Sequence, residues 1–173
     1  AKEPCPFPPT RLELHVAGLG VRLGGREVLK DLDFSAAGGQ ILAIVGRNGV
    51  GKTTLLRALA GLQRHSGTVS GNGAQPELGM VFQNPDLQFF NPTARQEMLY
   101  QLAEPDLARY EWLIHSLGLS RYQDAPPLLL SEGEKKRLAL GTVLMRAPRH
   151  GILLDERSEE HMSELQSLLI ISY

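Results

Sequence analysis

One nine-residue stretch limits the folds open to this chain more than anything else in it. Gly46-Arg47-Asn48-Gly49-Val50-Gly51-Lys52-Thr53-Thr54 fits the pattern G-x-x-x-x-G-K-[ST]. It follows Ile41-Leu42-Ala43-Ile44-Val45, a short apolar run rich in β-branched residues, which suits a strand buried on both faces of a parallel sheet. It precedes Leu55, Leu56, Leu59 and Leu62 at helical spacing. Strand, glycine-rich loop, then helix is the context this pattern needs to bind phosphate. Glycines let successive N–H groups converge on phosphate oxygens, and the helix N-terminus adds partial positive charge. Asn48, Gly49, Val50, Gly51, Lys52, Thr53 and Thr54 are therefore the expected cradle. Lys52 serves as a cation for the β- and γ-phosphates, and the Thr53 hydroxyl as a ligand for Mg²⁺.

Composition bounds the rest. The 173 residues carry a formal net charge of -1, so no broad basic field advertises nucleic acid or an anionic membrane. A single cysteine, Cys5, excludes an internal disulfide framework and fits a reducing compartment. No apolar run approaches the ~20 residues that span a bilayer. His15, His65, His115 and His150 stand singly, without metal-ligand spacing. Pro4, Pro6, Pro8 and Pro9 make residues 1–10 an expected linker. An internal piece of a longer chain and simple Met removal both fit that opening.

Three further segments carry chemistry. Gly151-Ile152-Leu153-Leu154-Asp155-Glu156 reads as a buried strand ending in two carboxylates, at the strand end where parallel sheets place ligands. Asp155 is the expected Mg²⁺ ligand, and Glu156 the group that polarises an attacking water. Gly79 to Phe82 is another buried strand, closed by Gln83, which could reach the metal or the water. Leu130-Ser131-Glu132-Gly133-Glu134 contains S-x-x-E, a capping box before a helical pattern. Its bland reading is a good helix start with a solvated charged face. Its functional reading is an N-terminus offered to an anion, with Glu132 and Glu134 offsetting the field.

In this order, Gly46–Thr54, Gln83, Leu130–Glu134 and Asp155–Glu156 resemble the Walker A, Q-loop, signature and Walker B elements of ATP-binding-cassette (ABC) transporter ATPases. The resemblance covers residues 12–156. Phe82-Gln83-Asn84-Pro85-Asp86, Gln88-Phe89-Phe90 and Glu134-Lys135-Lys136-Arg137 look like the subgroup that serves energy-coupling-factor importers of vitamins and metals. The proline-rich opening and Pro148-Arg149-His150-Gly151 resemble the second of two fused cassettes. The resemblance implies an α/β P-loop NTPase fold with a parallel core sheet. An N-terminal antiparallel β portion and a helical subdomain inserted over residues 85–147 would complete it, in a domain spanning 11–156. It implies ATP and Mg²⁺ as cofactors and Glu156 and Gln83 as catalytic residues. Ser131, Gly133 and Glu134 would face nucleotide held by a second cassette in a head-to-tail dimer. A membrane transport subunit would dock near residues 85–95, with Phe89-Phe90 either a contact patch or core. The chain would then be cytoplasmic and peripheral to the membrane, with no direct nucleic-acid partner.

Departures qualify this. Glu132 and Glu134 stand where the family usually has Gly and Gln, which implies weak capture in trans and an asymmetric dimer. Leu23 aligns with the aromatic that stacks on adenine, so base recognition should be loose. After Glu156 the family's Asp-bearing dimer loop, next strand and switch histidine are missing, and His161 stands too near to fill that role. Apart from Met162, Arg157 to Ser167 resemble a translated short-read sequencing adapter. Leu168 to Ile170 fit its index, and Ile171-Ser172-Tyr173 its continuation. Residues 157–173 are thus an expected non-native tail, and the fold an expected C-terminally incomplete one. An ordinary helical tail also fits the spacing of Met162, Leu165, Leu168 and Leu169. Two rival functions remain: a soluble cassette ATPase acting on DNA or ribosomes, and a non-functional truncated chimera.

The coarse layout is β-rich from Leu12 to Phe34 and turn-rich from Gly67 to Gly73. Candidate helices run over Ala103–Leu117 and Ser131–Arg146.

Overall fold

Leu14, Val16, Leu19 and Val21 are buried along one strand, and the step from 16 to 19 breaks the two-residue alternation. The computed structural model, which describes residues 13–155 and the backbone of 165–171, shows how that break is absorbed. Strand β1 (Glu13–Leu23) pairs antiparallel with β2 (Arg26–Ala37), and the register shifts between Val16 and Leu19. Gly18 sits there at φ 60, and its N–H donates to Asp33 Oδ1 at 2.8 Å. The extra residue is a bulge that returns the apolar set to the core face.

Strand β4 (Ser66–Gly71) pairs antiparallel with the other edge of β1, giving a three-stranded sheet of order β2-β1-β4. The stretch expected to be turn-rich is therefore mostly strand, because cross-strand pairing overrides its glycines.

The second sheet has the order β3-β7-β6-β5, from β3 (Gln40–Val45), β5 (Leu78–Val81), β6 (Gly151–Asp155) and β7 (Leu165–Ile171). Strand β7 runs antiparallel to both β3 and β6, so those two point the same way. The alternative of a helical tail therefore does not hold over 165–171, which is strand. An apolar run between two strands gains a ladder on each side, which outweighs weak local preference. Met162 lies outside the described residues.

Strand β3 is not buried on both faces as expected: Ile41 is 68% and Val45 53% exposed. It is an edge strand of this sheet, and an apolar run alone does not say what covers it.

Residue contacts divide the chain into two units. One comprises Val81–Ala147; the other contains both sheets and helix α1 (Lys52–Leu59), whose Leu55, Leu56, Ala58 and Leu59 are buried. Within that second unit, Glu77 N–H donates to His150 Nδ1 at 2.8 Å and His150 N–H to the Glu77 carbonyl at 3.1 Å. This exchange fixes the approach to β6.

The Val81–Ala147 unit holds α2 (Ala94–Leu99), α3 (Leu107–Ser116) and α4 (Glu132–Met145). Thr93, Asp106 and Ser131 cap them, each accepting a backbone N–H from the first turn. Helix α4 forms the centre, with Leu138, Ala139, Val143 and Leu144 buried. A Cβ on Gly141 would meet Leu117 Cδ1 at 3.0 Å and Met98 Cε at 3.1 Å, so this glycine admits α2 and the end of α3 closely. Among the described residues, no helix is long and apolar enough to cross a membrane.

Candidate functional site

The loop between β3 and α1 turns through Gly49 at φ 80 and Gly51 at φ 109. Both lie in the region that L side chains rarely adopt. A Cβ on Gly51 would also press on Leu29 Cδ2 at 2.8 Å and Val28 Cγ1 at 3.1 Å, so the loop can pack on β2 only with glycine there. Nothing lies within 4 Å of a Cβ built on Gly49, so its constraint is conformational alone. Asn48, Gly49 and Val50 are exposed at the crest, while Gly51 to Thr54 are half-buried.

Helix α1 begins at Gly51 with no side-chain cap and no acid in its first turn. Its first N–H groups and positive dipole end are thus left for an anion. Lys52 Nζ donates to the carbonyls of Gly46 at 2.6 Å and Arg47 at 2.9 Å, which holds the ammonium over the loop.

The Thr53 hydroxyl donates to Asp155 Oδ1 at 3.0 Å, across 102 residues of sequence. Asp155 is 6% exposed at the end of β6. A hydroxyl and a carboxylate in contact are hard oxygen donors of the kind Mg²⁺ prefers. With the uncapped helix beside them, these residues fit a magnesium–phosphate ligand. Glu156 lies outside the described residues.

The remaining expected site residues lie in the Val81–Ala147 unit. Gln83 is exposed just past β5. Beyond it a 3-10 turn, Pro85–Gln88, is capped by Asn84, whose side chain accepts from Asp86 N–H. Of the two aromatics that follow, Phe89 is core and Phe90 is 75% exposed, with Leu87 exposed nearby.

Ser131 caps α4 in a full capping box. Its hydroxyl accepts from Glu134 N–H at 3.4 Å, and Glu134 Oε2 accepts from Ser131 N–H at 2.9 Å. The Tyr122 hydroxyl also hydrogen-bonds this carboxylate. Those two contacts, Tyr122 first, lower the Glu134 pKa to about 2. Gly133 is exposed, and Leu23 is 43% exposed at the end of β1.

Two groups escaped the sequence reading. Lys135, within a charge run read as solvated, is buried against Asp86 and Glu132. Its spacing from Leu138 and Ala139 (i, i+3, i+4) was the available signal. Glu97 is a buried acid that binds the backbone of Phe90 and Asn91, and no local pattern marks it.

Comparison with known proteins gives the family of this chain. The profile of the ABC transporter family matches residues 29–159. An aliphatic sulfonates import ATP-binding protein of Xanthomonas axonopodis pv. citri is 40% identical over 157 residues, covering 84% of this chain and 61% of that protein. An energy-coupling factor transporter ATP-binding protein of Thermotoga maritima is 35% identical over 158 residues, with coverages of 84% and 61%. The solved structure of cbiO1 from Clostridium perfringens, described as part of the ABC transporter complex cbiONQ, superposes with a TM-score of 0.72. It is 29% identical and covers 83% of this chain and 64% of its own. The chain spans 61% of the length of the first of these relatives. With a P-loop, an uncapped α1 and the Thr53–Asp155 pair in one mixed α/β unit, this chain belongs to the ABC transporter family, as part of an ATP-binding domain.

Proposed function

We propose that this chain is the nucleotide-binding part of an importer ATPase of the energy-coupling-factor type. The observation that carries the reading is the Thr53–Asp155 contact beside an uncapped helix start. One arrangement thereby offers phosphate a ring of N–H donors and offers Mg²⁺ its oxygen ligands. Backbone N–H groups from Asn48 to Thr54 bind the phosphates, and Lys52 leaves its loop carbonyls for the β- and γ-oxygens. Thr53 and Asp155 hold the metal, and Gln83 reaches it or the lytic water. Bound Mg²⁺ supplies neutralisation of the phosphate charge. Glu156 polarises the water.

Ser131, Gly133 and Glu134 face nucleotide on a second cassette, and the charges of Glu132 and Glu134 make that the weaker of two sites. Leu87 and Phe90 offer apolar contact to a membrane subunit on the cytoplasmic face. The subgroup rests on Phe82 to Phe90 and on the Thermotoga and Clostridium relatives. We read residues 157–173 as non-native, which sequencing the source DNA past the codon for Glu156 tests. This chain alone then binds nucleotide weakly, and hydrolysis belongs to a longer assembly.

Titration with a fluorescent ATP analogue tests the reading. Binding should need Mg²⁺ and weaken roughly tenfold or more in Lys52→Ala, the loss of a charge-assisted phosphate contact. Asp155→Asn should lose most of the metal dependence. Parent and Lys52→Ala titrating alike would overturn the assignment, provided circular dichroism shows both folded.

A further inference from the structure

Of the four charges in Glu134-Lys135-Lys136-Arg137, one is not on the surface. The Lys135 side chain is 10% exposed, and its ammonium lies 2.9 Å from Asp86 Oδ1 and 3.4 Å from Glu132 Oε1. A cation withdrawn from water is costly unless it is paired. Here the pairing prevails: the hydrogen bond to Asp86 raises the Lys135 pKa against the effect of desolvation.

Asp86 lies in a closed block of chain. Its N–H donates to Asn84 Oδ1 at 3.0 Å, and Phe82 N–H donates to Gln88 Oε1 at 3.1 Å. Pro85 and Phe89 are buried within the same segment. Gln83 sits inside that block. At the other end of the ion pair, the Lys135 N–H donates to the Ser131 carbonyl at 2.8 Å, one turn into α4.

We propose that Lys135 is a positioning residue that ties the Gln83 loop to the Ser131 end of α4. A displacement of either segment is then carried to the other through one ammonium group. The tie matters to function only if the cassette reading holds, because that reading gives Gln83 and Ser131 their roles. The tie itself can be measured without nucleotide.

Amide hydrogen exchange on the whole 173-residue chain provides the test. Lys135→Met keeps the aliphatic stem and removes the charge; Asp86→Asn removes the partner at a more exposed position. In Lys135→Met, exchange of the Phe82, Asp86 and Leu87 amides should rise roughly tenfold. In Asp86→Asn the Glu134 and Lys135 amides, on the far side of the pair, should rise as well. The double variant should do no more than either single, the mark of one shared interaction. Lys135→Arg should restore parental rates, while the Tyr110 amide of α3 and the Leu117 amide just past its end stay unchanged throughout.

Unchanged rates in the loop, additive effects in the double variant, or an equal rise across α3 would each overturn the tie. If Lys135→Met does not fold, Asp86→Asn decides alone through the α4 amides. A chain that binds no nucleotide yet shows this pattern would refute the proposed nucleotide-binding function and leave the tie standing. The reverse result would do the opposite.

Discussion

Glu97 offers the sharpest test of how the Gln83 loop is held. It is 5% exposed in α2, and one oxygen, Oε2, accepts three hydrogen bonds. Phe90 N–H donates at 2.8 Å, Asn91 N–H at 2.7 Å and the Asn91 side-chain amide at 3.1 Å. A hydrogen bond to a charged group contributes about 1.5–3 kcal/mol net. Simple addition overshoots here, because Asn91 is only half-buried and water can replace part of what is lost. Removing the acid also removes its own desolvation penalty. Glu97→Ala should therefore cost about 3 kcal/mol rather than the full sum. Glu97→Gln keeps one oxygen acceptor and loses only the charge assistance, so about 1 kcal/mol is expected. Urea unfolding followed through Trp112, the chain's single tryptophan, reads the same unit. With a slope of about 1–3 kcal/mol/M, the Ala variant's midpoint should fall by about 1–3 M. A shift under about 0.5 kcal/mol would refute the anchoring. So would a Gln variant as damaged as the Ala variant, since that would make charge rather than acceptor geometry the cause.

Two further outcomes are expected. Gly67 has φ 77, and an added Cβ would run into the carbonyl oxygens of Gly18 and Ala17, neither of which can rotate aside. Gly67→Ala should thus cost well beyond the ~1–2 kcal/mol of a left-handed residue alone. Gly24→Ala, at φ 56 with nothing within 4 Å, should cost only that; equal losses in thermal unfolding would refute the contact argument. For Glu134, a folded pKa of about 2 lies below the ordinary 4.5, so its stabilisation is complete above 4.5 and is lost as pH falls toward 2. The stability gap between the parent and Glu134→Gln should hold from pH 7 to 5 and shrink below 4.5. Tyr122→Phe should move that loss to higher pH. A gap that is flat down to pH 2.5 would contradict both.

What the sequence made legible was local. The glycine spacing of the P-loop and the S-x-x-E box each act within one turn of chain, and both appear where their residues stand. Helix α4 runs Glu132–Met145 between the cap at Ser131 and Arg146, because the cap fixes its start. Helix α3 begins at Leu107 rather than near Ala103, since Pro105 and the Asp106 cap set its first turn. Illegible features depend on distant partners. Ile41 and Val45 are apolar whether or not another layer covers them. Leu165 to Ile171 become strand by pairing with β3 and β6, not by their own spacing. Lys135 and Glu97 look like surface charges until Asp86, Phe90 and Asn91 are placed beside them.

The starts of α1 and α4 follow opposite rules, and the contrast bears on function. Helix α4 obeys every local preference: Ser131 and Glu134 satisfy each other's backbone donors, and two acids sit in the first turn. Such an end gains about 1 kcal/mol from its cap and has less positive field left for another anion. Helix α1 forgoes all of this. It starts at a glycine with φ 109, without a cap or an acid. A folded chain that leaves a helix start unsatisfied tends to do so at a functional site, where a ligand completes it. Phosphate bound there, as proposed, would stabilise the fold by an amount that grows with ligand concentration over Kd. Helix α4 already supplies its own anion, so direct attraction of phosphate to its N-terminus must work against two carboxylates.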